Sequence, residues 1–200
     1  MKFKLVLILL VSLTFLLSFV EAFSCPEGYT SVTRVVTVGD CDYSVDICVK
    51  CPTGPVPGFA TFTSFRLTDP DCNNSLDINQ VFDGIKLAIM NYIFIWDLCD
   101  QLQAPPCEQG QQQVTFKWYN CWYKEKINYF EEDYIVYNAC DYDTYCEVVI
   151  QYCYDGDVLI PTPISVTQVG NPTCPWEYYP DPTEYNQPTG CMRLHTECDN

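Results

Sequence analysis

Histidine is nearly missing from this 200-residue chain, which carries only His195. A Ser-His-Asp or Cys-His constellation would have to rest on that one residue near the C-terminus, and no G-x-S-x-G accompanies it. The same scarcity argues against zinc knuckles built on paired histidines. Basic residues are few as well, 10 Lys and Arg against 26 Asp and Glu, for a formal net charge of −16. Binding to nucleic acid or to an anionic membrane needs a basic footprint, so both are disfavoured as partners. The sequence has no phosphate-cradling loop, no internal repeat and no apolar run beyond the N-terminal one that is long enough to span a bilayer.

Cysteine, in contrast, is abundant, with 14 residues. How they are read depends on compartment. The chain opens with Lys2 and Lys4, an apolar run from Leu5 to Val20 and the small-residue pattern ending at Ala22. This is expected to be a signal peptide over residues 1–22, cleaved after Ala22. Cleavage would take Lys2, Lys4 and Glu21 and leave eight basic and 25 acidic residues, a net charge of −17, with every cysteine retained. An even cysteine count in an exported chain predicts up to seven disulfides. Residues 23–200 are then expected to form one disulfide-rich, β-dominated domain with an irregular tail over about 170–200.

The stretch CDYSVDICVKC, residues 41–51, ends in C-x-x-C and raises redox and metal readings. A thioredoxin-type pair starts a helix, whereas Cys48 and Cys51 close an extended run and lead into PTGPVPG. In a strand they stand about 10 Å apart, beyond the reach of a mutual disulfide. Each is therefore expected to bond elsewhere.

Alternation predicts a hairpin over 31–51, with Val32, Val36, Val38, Tyr43, Val45 and Ile47 on one face and a turn at Gly39-Asp40. A short strand is expected over Phe59–Leu67. Residues 75–103 break the β pattern: Ile78, Val81, Phe82, Ile85, Ile89, Tyr92, Ile93, Trp96 and Cys99 recur at three- and four-residue steps. One long buried helix is expected there; a hairpin turning at Asp83-Gly84 is the rival. Lys117, Lys124 and Lys126 are expected to face Glu131, Glu132 and Asp133 across a fold at 127–129, and Asp155-Gly156 marks a third hairpin.

Among candidate sites, DPDCNNSLDINQ (69–80) places Asp69, Asp71, Asn73, Ser75 and Asp77 at calcium-loop positions 1, 3, 5, 7 and 9. Asn74 replaces the turn glycine of such a loop and Gln80 its bidentate glutamate, so calcium is a weak candidate ligand and helix capping the plainer reading. No catalytic residue and no cofactor site is assigned. Phe116, Trp118 and Trp122, with Tyr119 and Tyr123 opposite, are expected to be mostly core, while some of the many tyrosines remain exposed for contact with sugars or proteins.

These features predict an α+β fold: a β-rich, disulfide-stapled secreted domain of antiparallel hairpins with one long buried helix. The function expected is that of a non-enzymatic structural or binding module of the cell surface or extracellular space, with self-assembly into a filament or matrix through strand edges and other protein chains, including copies of itself, as partners. The rivals are a calcium-dependent carbohydrate-binding module and a secreted hydrolase using acidic residues.

Overall fold

The computed structural model describes residues 25–53, 56–91, 98–99 and 104–199; the expected leader lies outside them. Among the described residues nine strands form one sheet: β1 (Thr30–Val38), β2 (Cys41–Lys50), β3 (Gly58–Leu67), β4 (Gln112–Tyr119), β5 (Cys121–Tyr129), β6 (Glu132–Ala139), β7 (Tyr145–Asp155), β8 (Val158–Val169) and β9 (Met192–Arg193). An α-helix, α1, spans Ile78–Met90.

The first hairpin has the predicted register. Val32 faces Ile47, Val36 faces Tyr43 and Val38 faces Cys41, with Gly39 at φ 64° in the turn. Thr33 and Thr37 donate across the strands to Asp46 and Asp42, each at 2.6 Å, on the solvent face.

β3 is where the sheet forks. One of its edges pairs with β2; along the other, Gly58–Thr61 runs parallel to Val114–Lys117 of β4, and Ser64–Arg66 runs antiparallel to Val136–Asn138 of β6. One branch continues β4-β7-β8 and the other β6-β5-β9. A register shift at Asp46/Ile47 leaves Thr63 as an extra residue, so Phe62 and Phe65, three apart, both reach the core. Their rings meet those of Phe82, Trp118 and Trp122, with Phe62 centroids at 5.2, 5.5 and 5.3 Å from the three. Such ring pairs contribute about 0.5–1.5 kcal/mol each beyond the area they bury.

The helix rests on this cluster through Val81, Phe82, Ile85 and Ile89 while Leu87 points to solvent. Asp83 and Gly84 lie inside it, so the rival hairpin does not form. Gly84 serves close approach instead: a Cβ there would sit 2.3 Å from Val38 Cγ1. Of the long helix expected over 75–103, Ile78–Met90 is helical and capped by Asn91, Leu98 is again helical, and residues 92–97 and 100–103 lie outside the described residues.

The hairpin expected from the lysine and acidic clusters is built differently from expectation. β4 and β5 are separated at buried Asn120, whose side chain exchanges hydrogen bonds with Gln168 and whose carbonyl accepts from Leu194 N. The lysines thus fall on two strands. The β5–β6 turn sits at Phe130-Glu131, both with positive φ (51° and 69°), rather than at 127–129. The hairpin marked by Asp155-Gly156 is present, but its second strand runs on to Val169.

Candidate functional site

All 14 cysteines are joined in seven disulfides and none is free. Cys48 bonds Cys25 and Cys51 bonds Cys99, so the C-x-x-C is two separate staples leaving one strand. Cys41, the third cysteine of that stretch, bonds Cys72 and ties the acidic loop to the start of β2.

That loop docks on the first hairpin. Asn74 Nδ2 donates to the Val38 carbonyl at 2.9 Å and to the Tyr43 hydroxyl at 3.1 Å, and Asn74 Oδ1 accepts from Leu76 N. Asp69 accepts from Asp71 N at 2.9 Å. Asp77 is the N-cap of α1, and its carboxylate accepts from Gln80 N while the Gln80 side chain accepts from Asp77 N, both at 3.0 Å. Gln80 therefore completes a capping box at the position where a calcium loop would carry glutamate. Asn73 and Ser75 are exposed. Among the described residues no three His, Cys, Asp or Glu side chains converge as for a metal ion.

The acidic trio is dispersed by the turn it makes. Glu131 occupies a positive-φ turn position, Glu132 accepts from the Tyr134 hydroxyl at 2.6 Å, and Asp133 meets Lys126 at 2.9 Å. Hydrogen bonds from Lys126, Tyr185 and Asn128 hold the Asp133 carboxyl down at about 2. His195 is used through its backbone: its N–H donates to Asn79 Oδ1 and its carbonyl accepts from Lys86 Nζ. Lys86 is buried and also meets Asp83 at 2.7 Å and Glu197 at 3.0 Å.

Lys124 does not face the acidic strand. It is fully buried beneath the tail, where Nζ meets Asp181 Oδ1 at 2.7 Å, donates to the Tyr179 carbonyl and lies 4.0 Å from the Tyr178 ring centroid. Residues 174–191 are closed at their ends by Cys121–Cys174 and Cys140–Cys191. Alternating polarity gives no hint of a buried lysine; only the proline-rich segment folding over it explains the site.

Between the β2 and β3 ends, the acidic loop, β6 and the tail lies a cleft of about 340 Å³, lined among others by Arg66, Asn73, Asp133, Tyr137, Tyr178 and Asp181. Burial, followed by the Tyr178 hydroxyl 3.4 Å away, pushes the Tyr137 phenol far above its ordinary range. Arg66 is held between the rings of Tyr134 and Tyr129, at 4.8 and 5.4 Å.

The sheet margins differ in how they are finished. The tail seals β5: Thr189 N donates to the Lys124 carbonyl, Asn186 N to that of Lys126, and β9 pairs with Cys121 and Trp122. Among the described residues β1 pairs with β2 alone and β8 with β7 alone. β8 contains no charged side chain, and Val158, Ile164 and Val166 are more than half exposed. Pro161 and Pro163 sit mid-strand; lacking N–H, they remove donors from the open margin. β1 has no proline and no register break, and Val35 is exposed.

No helix among the described residues is long and apolar enough to cross a membrane. Compared with protein-family models, with curated proteins and with solved structures, the chain matches none of them.

Proposed function

We propose that this protein is a secreted structural module that works by contact rather than turnover, and that copies of it join through the open strands β1 and β8. The observation that carries this reading is the contrast between margins: the tail covers β5 with backbone and side-chain hydrogen bonds, while β8 leaves an uncharged twelve-residue strand with exposed aliphatics. Edge strands are ordinarily protected by charge, by proline or by a covering segment; among the described residues β8 has Pro161 and Pro163 but neither charge nor cover, and β1 has no proline. Six strands run without a gap in the order β1-β2-β3-β4-β7-β8, so joining β1 of one copy to β8 of the next extends the sheet. Such a head-to-tail contact generates an open filament. The prolines confine hydrogen bonding on β8 to the stretches on either side of them, which sets the register of the contact. Seven disulfides suit durability in an oxidising space.

The test is electron microscopy and light scattering of the purified mature chain at high concentration. Filaments or arrays are expected, and Val35→Lys or Val166→Lys, both at exposed positions, should return the protein to monomers without lowering its melting temperature. A monomer at all concentrations, or turnover of a glycan, peptide or ester abolished by substituting Glu131, Glu132, Asp133 or His195, overturns the reading.

A further inference from the structure

The cleft beside the tail is chemically distinct from the two open margins, since no residue of β1 or β8 lines it. Its volume, about 340 Å³, falls at the small end of ligand pockets, which run from about 300 to 1,000 Å³. Tyr178, a residue 54% exposed, forms part of its wall. Lys124, fully buried, sits against that ring at 4.0 Å and fixes it in place. Around this platform stand polar groups of both kinds. Arg66 is steadied by two aromatic rings and forms no ion pair with any carboxylate among the described residues, and only one of its nitrogens is engaged, with the Leu67 carbonyl at 3.2 Å. Asp181 gives one oxygen to Lys124 and is itself 61% exposed. Asn73 is exposed at the rim.

We infer that this cleft binds a neutral sugar ring, independently of calcium. An aromatic face is electron-rich and attracts the C–H face of a pyranose. Sugar hydroxyls both donate and accept, so they match a site that sets guanidinium and amide donors beside a carboxylate acceptor. A ligand carrying a carboxylate or sulfate gains from Arg66 but meets Asp133 and Asp181 in the same cleft, in a chain of net charge −16. A cationic ligand meets Arg66. A neutral polyol satisfies every group without either conflict. The acidic loop contributes Asn73 to the wall, while Asp77 is spent on the helix, so no metal bridge is needed.

The mature full-length chain, applied to an array of gluco-, manno-, galacto- and N-acetylglucosamine-ended oligosaccharides alongside sialylated and uronate-ended ones, with and without EDTA, tests this. At least one neutral glycan should be retained equally in both conditions. Tyr178→Ala, at an exposed position, should weaken that retention about ten-fold, whereas Trp176→Ala, an equally exposed aromatic outside the cleft, should leave it unchanged. Arg66→Met should also weaken it; where that variant melts early, Tyr178→Ala alone decides. Retention of no neutral glycan, retention of anionic glycans only, loss in EDTA, or undiminished retention by Tyr178→Ala overturns the inference. None of these outcomes depends on assembly, because the margins are not in the cleft.

Discussion

Lys124 Nζ lies 2.7 Å from Asp181 Oδ1, joining a lysine with no exposed surface to a tail that has almost no regular structure. Burying an ammonium is costly unless it is paired and hydrogen-bonded. The pairing is supplied by a carboxylate and a backbone carbonyl on residues 179–181, so the cation fixes the middle of a segment whose ends are already held by disulfides.

Lys124→Met should therefore release the tail while the sheet persists. Hydrogen exchange is expected to rise over residues 178–190 and to change little in β2, β3 and β7. Equal protection of the tail in the variant would show that the two disulfides alone hold it.

Gly84→Ala puts a methyl group 2.3 Å from Val38 Cγ1. Overpacking of that kind costs about 1–3 kcal/mol, and the better helix propensity of alanine returns about 1 kcal/mol. Denaturant titration should show a net loss of stability, in contrast to the gain usual for this substitution in a solvent-facing helix.

Asp77→Ala removes the cap of α1 and should lower stability by about 1 kcal/mol. The loss is expected to be the same in calcium as in EDTA, since the carboxylate is engaged with Gln80 N. Sub-micromolar calcium binding by calorimetry, abolished in this variant, would make the loop an ion site instead.

Alkaline titration should find two late phenols. Burial is the main force raising Tyr119 to about 12 and driving Tyr137 higher still. Because the folded pKa of Tyr119 lies above its unfolded value near 10, the neutral form favours the fold; its stabilisation is complete below about pH 10 and is lost as pH rises toward 12. Absorbance at 295 nm followed through an alkaline titration should lose one of its two late phenols in Tyr119→Phe, while the Tyr137 step remains.

A peptide map under non-reducing conditions is expected to recover Cys25–Cys48, Cys41–Cys72 and Cys51–Cys99. A peptide linking Cys48 to Cys51 would contradict both the strand geometry and the pairing.

Local pattern determined a good part of this protein. Alternation in 31–51 specified the first hairpin to the residue, because a period of two leaves one register that buries Val36, Val45 and Ile47 together. Three-and-four spacing specified α1 over its described length, and the extended C-x-x-C excluded its own disulfide by distance alone. The tertiary structure decided what depends on distant segments meeting. Gly84 reads locally as a turn residue, yet it lies inside α1, where the close approach of Val38 leaves no room for a Cβ. Lys124 reads as a solvent-facing strand residue, yet a tail some 55 residues further on covers it. The fork at β3, the cleft at Arg66 and the two uncovered margins likewise arise from pairing between strands far apart in the chain, and neighbour-to-neighbour periodicity carries no information about which strand edges will find one another.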